Sequence, residues 1–140
     1  MGSLLHKDSY HLATNTVVHY ILLLSLQDFY SGWEMIFTIY YSILAGNIFS
    51  GVFMPNQVSV GASVYVFAVL GLKVAHCVTL LHCLWKSLKK TEKIRHFTEL
   101  TIAAVIVLLG FHNSNDVLNH SYGLLTGLTV GLMKVLLMYT

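Results

Sequence analysis

A few polar side chains in this sequence sit alone in apolar surroundings, and their types and spacing suit acyl-transfer chemistry. His11, Asn15 and His19 recur at i, i+4 and i+8, forming one polar stripe on a helix whose other faces carry Val17, Val18, Ile21 and Leu22. By itself such a stripe serves to bind helices together through interhelical hydrogen bonds. Ser63 follows Pro55-Asn56 and Gly61-Ala62 and opens a long apolar run, where backbone N–H groups at a helix start have no intrahelical partner. A serine in that position is either a helix N-cap or a nucleophile beside donors for a developing oxyanion. His120 precedes Gly123, Gly127 and Gly131, whose four-residue spacing makes a smooth face for close helix approach. The run after Ser63 carries a matching face in Val64, Ala68, Gly71 and Ala75. If the two faces meet, Ser63 and His120 share one depth, and the imidazole can act as general base to the hydroxyl. Phe67, one turn on from Ser63, is then placed against the imidazole ring. Val64 is the bulky member of its face and is expected to hold the helix bearing His120 away from Ser63.

These groups need a framework, and composition identifies its solvent. Of 140 residues, 56% are hydrophobic and 10% charged, which is too apolar for a water-soluble domain of this size. At about 20 residues per span, the apolar runs predict five transmembrane helices at residues 10–27, 34–53, 61–84, 97–112 and 119–138. The expected fold is all-α: a polytopic, multi-pass integral membrane bundle with the lipid bilayer as its constant partner. Lys86, Lys89, Lys90, Lys93 and Arg95 fall together in the segment 86–95, which the positive-inside rule assigns to the cytosol. Alternation then puts the loops 53–60 and 111–119 outside, together with Ser63 and His120. The first ten residues have neither the basic n-region nor the cleavage site of a secretory signal. Five spans starting outside predict a further helix ahead of them, so residues 1–140 are expected to form a single membrane domain incomplete at its N-terminus. A net charge of +2 offers no extended basic groove for nucleic acid. Two cysteines in apolar sequence make no disulfide framework, and one proline among 140 residues excludes disordered and collagen-like classes.

Four segments resemble the motifs of one family. His6, His11 and Asn15 match the HxxxxHxxxN opening of the second transmembrane helix of rhomboid intramembrane proteases, and Ala45-Gly46-Asn47-Ile48-Phe49-Ser50 is similar to their AGNxxS. Gly61-Ala62-Ser63 matches the first three positions of GxSG, and the stretch from His120 through Gly123 to Gly127 matches HxxGxxxG. The motifs occur in the family's order and cover nearly the whole chain. The resemblance implies that Ser63 is the nucleophile and His120 its general base and acid. It further implies that His11, Asn15 and the Ser63 N–H stabilise the oxyanion, and that Phe67 supports the histidine. Gly61, Gly123 and Gly127 would be supporting positions. The implied fold is a six-helix bundle with a water-filled cavity opening outward, of which helices two to six are present. Two departures are visible: the first core helix with its Trp-Arg loop is not in this sequence, and Val64 stands where the motif has glycine.

The implied activity is serine endopeptidase cleavage of transmembrane protein substrates near the outer membrane face, with no cofactor. A second reading is a catalytically inactive rhomboid-like protein that binds transmembrane segments. A third, a small channel lined by histidines, does not require the pairing of Gly-Ala-Ser with HxxGxxxG. The dipeptides His76-Cys77 and His82-Cys83 invite a metal reading, but six residues advance about 240° around a helix, so only His76 and Cys83 share a face. No metal site is therefore expected, and these residues are assigned to the inner-end core and interface. Lys73, about 15 Å along the helix from Ser63, either snorkels to the cytosol or marks a polar gap in the bundle. Tyr40 and Tyr41 are expected in bundle packing, and Trp33 and Trp85 in the interfacial belt.

Overall fold

The computed structural model describes residues 9–53, 63–83, 86–112 and 117–139. Within them the chain forms five helices and no strand: α1 (Ser9–Leu26), α2 (Gly32–Phe53), α3 (Ser63–Cys83), α4 (Lys90–His112) and α5 (Val117–Tyr139). Gly32–Phe53 and Ser63–His82 are long and apolar enough to cross a bilayer, and Asn15–Leu26 is a shorter apolar helix. The bounds of four helices agree closely with those predicted from hydropathy. The exception is α4, which begins at Lys90 rather than at residue 97. Its charged first turns are helical because the Glu92 carboxylate accepts a hydrogen bond from the Lys89 N–H at 2.7 Å, satisfying one of the donors that a helix start leaves free. Hydropathy detects only the apolar part of such a helix. A similar device starts α2: the Ser31 N–H donates to Glu34 Oε2 at 2.7 Å and the Glu34 N–H donates to Ser31 Oγ at 3.3 Å, a reciprocal capping box.

The central element is α3, which touches all four other helices and packs most extensively against α5. Val66, Phe67, Val69, Leu70 and Leu72 are buried in the core. The α3–α5 contact follows the two small-residue faces. A Cβ on Gly123 would run into the Val64 carbonyl, one on Gly127 into the Ala68 carbonyl, and one on Gly131 against the Ala75 methyl. The paired positions advance together, so α3 and α5 run parallel. Between apolar helices in lipid, association rests on such close packing rather than on the exclusion of water, which is why glycine occupies these positions.

By contrast, α2 runs antiparallel to α5, with Gly46 beside Asn119 at one end and Glu34 bound to Lys134 at the other. Most of its surface faces outward. Tyr40 and Tyr41, expected in bundle packing, are exposed, and Tyr41 stacks on Phe37 along the outer face of the helix. Trp33, at the start of α2, is 81% exposed, as an interfacial residue should be, while Trp85 lies outside the described residues. Hydroxyls within the helices largely satisfy themselves: Thr38, Thr79, Thr126 and Thr129 each donate to the carbonyl four residues earlier. That leaves the histidines, the asparagines, Ser63 and the charged groups as the polar side chains requiring a tertiary explanation.

Candidate active site

Ser63 is the first described residue of α3, and His120 lies in the first turn of α5. Because these helices are parallel and in contact from Val64–Gly123 onward, the two side chains occupy the same end of the bundle. Both are 5% exposed. The element joining them is Phe67, whose ring stacks on the His120 imidazole with centroids 4.3 Å apart and planes 7° from parallel. Phe67 Cβ is also 3.1 Å from where a Gly123 Cβ would lie, so the missing side chain at Gly123 is what lets α5 bring His120 down onto the phenyl face. Parallel stacking restrains the plane of the imidazole against α3.

The polar stripe of α1 reaches this end through His19, whose ring meets Tyr65 edge-on at 5.0 Å. Asn15, half-buried, stands one turn closer to the α1 N-terminus and so is carried toward the level of Ser63. His11 belongs to the first turn of α1, and its side chain lies outside the described residues, as does Gly61. Gly127 is buried one turn further along the α3–α5 contact.

Val64 does not have the effect its size predicts. Its backbone carbonyl, rather than its isopropyl group, faces Gly123; the side chain turns toward α2, where Val64 Cγ2 lies 2.9 Å from the Cβ position of Gly46. The space for the valine is thus supplied by the glycine of Ala45-Gly46-Asn47, and the α3–α5 approach remains close. From sequence, the face shared by Val64 and Ala68 suggested an obstruction because it gave the position of the residue around the helix but not the direction of its side chain.

Further along the bundle, from the middle of α3 to the start of α2, lie charged pairs that the sequence pattern did not link. Lys73, 3% exposed, binds Glu99 of α4 at 3.0 Å, the second of the two expectations for that lysine. Lys134 binds both carboxylate oxygens of Glu34 at 2.7–2.8 Å and stands over the Tyr30 ring at 4.7 Å. A charge in an apolar helix requires a partner, and that rule was the available signal for both pairs.

The placement of Ser63 and the HxxGxxxG segment on two parallel helices in contact agrees with the similarity of the chain to known proteins. The Rhomboid domain family model matches residues 2–136. The chain belongs to the rhomboid family. Two relatives from Toxoplasma gondii are named rhomboid-like proteases. Rhomboid-like protease 3 is 28% identical over 127 residues, covering 90% of this chain and 47% of the relative. Rhomboid-like protease 2 is 26% identical over 131 residues, covering 91% of this chain and 44% of the relative. The chain therefore spans about half the length of the curated relatives it matches. No solved structure matches it. Membership of the rhomboid family implies a polytopic membrane bundle, and the contact of Gly123 and Gly127 with α3 gives the HxxGxxxG segment of this rhomboid chain its physical role.

Proposed function

We propose that this chain is the core of an intramembrane serine endopeptidase that cleaves transmembrane protein substrates near the outer membrane face. The observation that carries the reading is the Phe67–His120 stack at the end of α3 that bears Ser63. In this reading Ser63 Oγ attacks the scissile carbonyl while His120 takes its proton. The tetrahedral oxyanion receives hydrogen bonds from His11, Asn15 and the Ser63 N–H. His120 then returns the proton to the departing amine, and the acyl-enzyme is hydrolysed by a water that His120 activates in turn.

The turn of Val64 into the notch at Gly46 supports an active enzyme, since the valine leaves the α3–α5 approach intact. A catalytically silent rhomboid-like binder of transmembrane segments remains the second reading, favoured by one observation: valine, not the motif's glycine, follows Ser63. Labelling by a serine-directed fluorophosphonate, together with cleavage of a reporter transmembrane substrate in proteoliposomes, separates the two. The protease reading expects Ser63 to be labelled only when His120 is present. It also expects Ser63→Ala and His120→Ala each to abolish cleavage, with the double variant no worse, because the two residues act as one unit. Equal labelling of the His120→Ala protein overturns the assignment, and a folded wild-type chain that binds the reporter without cleaving it favours the silent binder.

A further inference from the structure

The half of the bundle away from Ser63 gathers a second set of reactive side chains, which proteolysis does not use. One carboxylate oxygen lies at its hub. Glu99 Oε2 is 3.0 Å from Lys73 Nζ, 3.0 Å from His96 Nδ1 and 3.7 Å from Cys77 Sγ. Cys77 is completely buried and His96 is 3% exposed. The thiol, imidazole and carboxylate ligand atoms all lie within 4.8 Å of one another. A tetrahedral zinc ion, with bonds of about 2.0 Å to nitrogen and oxygen and about 2.3 Å to sulfur, spaces its ligand atoms by about 3.3–3.5 Å. The separations of 3.0 and 3.7 Å from Glu99 Oε2 fall on either side of that spacing.

A further polar group lies close by. His76 is 7% exposed, and among the described residues its Nε2 is buried without a hydrogen-bond partner. Its ring lies 6.2 Å from that of His96 and 3.8 Å from that of Phe29. Buried polar atoms are nearly always paired, so the unpaired nitrogen marks an unsatisfied polar group next to the cluster, outside the three ligand atoms themselves. Hydropathy and helical spacing did not reveal this group, because two of its members come from α4. His96 and Glu99, one turn apart, face the adjacent His76 and Cys77 across the α3–α4 contact.

We propose that Cys77, His96 and Glu99 form a zinc site that joins α3 to α4, and that the Lys73 ammonium is the cation competing with zinc for Glu99. The donor set selects the metal class: thiolate and imidazole suit zinc, whereas calcium and magnesium take oxygen ligands. Binding exchanges one cation for another. The zinc–sulfur bond forms as the Cys77 thiol gives its proton to water, and Lys73 leaves the carboxylate. Fourteen residues of helix, or about 21 Å of rise, separate Cys77 from Ser63, so the site is distinct from the proposed proteolytic centre.

Cobalt(II) reports on such a site, because thiolate ligation produces a charge-transfer band and tetrahedral geometry gives intense visible bands. The full chain in detergent is expected to bind one equivalent of cobalt with a thiolate band, which one equivalent of zinc displaces. Cys77→Ser should abolish the band and Cys83→Ser should retain it. Glu99→Gln and His96→Ala should weaken zinc binding at least about 10-fold, since the loss of even an outer-shell partner costs that much. Lys73→Met removes the competitor without touching a ligand and should tighten binding; a helical circular-dichroism spectrum identifies the folded variants on which the comparison rests. Absence of the thiolate band, its survival in Cys77→Ser, or unchanged zinc affinity in folded Lys73→Met each overturns the proposal. Fluorophosphonate labelling of Ser63 in Cys77→Ser is read in parallel, so that failure of this site and failure of the protease reading remain distinguishable.

Discussion

Replacing Gly127 by alanine tests whether the α3–α5 approach positions His120. A Cβ at Gly127 would meet the Ala68 carbonyl group, with its carbon 2.7 Å away, and the Leu72 nitrogen at 2.9 Å. These are backbone atoms in the middle of a helix and cannot rotate aside. Ordinary contact begins near 3.4 Å, so α5 must withdraw from α3 by about 1 Å. Overpacking of this kind costs about 1–3 kcal/mol. The displacement is transmitted to His120, which lies on the same helix and is oriented by its stack on Phe67 of α3. A misplacement of about 1 Å can lower the rate on the order of 100-fold. The assay is cleavage of a reporter transmembrane substrate in proteoliposomes, run beside thermal unfolding in detergent. Gly32→Ala and Gly51→Ala serve as controls, because a Cβ at either position meets nothing within 4 Å. If Gly127→Ala keeps wild-type stability and rate, the close approach does not position the histidine and the reasoning fails.

Other consequences follow from the same geometry. Gly46→Ala should destabilise the bundle by pressing on Val64 Cγ2, 2.9 Å from the new methyl, and Val64→Ala should restore stability in the double variant. Additive losses in that unfolding cycle would show that the two side chains do not meet. Asn15→Ala should slow turnover by roughly 100-fold with little effect on substrate binding, the usual cost of an oxyanion donor. His19→Ala, which loses an edge contact with Tyr65, should keep its chemistry; the opposite pattern in steady-state kinetics would reassign the stripe. Burial, with smaller contributions from Glu34 and Cys77, pushes the Tyr30 phenol from 10.0 up to about 12. Its contribution to stability is therefore complete below pH 10 and is lost as pH rises toward 12. Tyr30→Phe should flatten the alkaline unfolding curve in that window, and an unchanged curve would refute it.

The motif residues and the helices that carry them were legible in the sequence to different degrees. Long apolar runs place four helices closely, because a span must be both long and uncharged. The start of α4 was missed because its first turns are charged and owe their helicity to Glu92 at the Lys89 N–H, a local signal that hydropathy averages away. The Ser31–Glu34 capping box follows a readable S-x-x-E pattern. Phe67 was legible beside His120 because one helical turn from Ser63 and a smooth glycine face leave few other arrangements.

By itself the sequence determined the helical class and the two small-residue faces, since these depend on composition and on the period of a single helix. Tertiary structure decided what depends on the direction of a side chain between helices. Val64 fills the notch at Gly46 rather than separating α3 from α5. Lys73 finds Glu99 instead of solvent, and Cys77 of α3 is gathered with His96 and Glu99 of α4. Helical periodicity gives the angle of a residue about its own axis, but the neighbour at that angle is set only when the other helices pack.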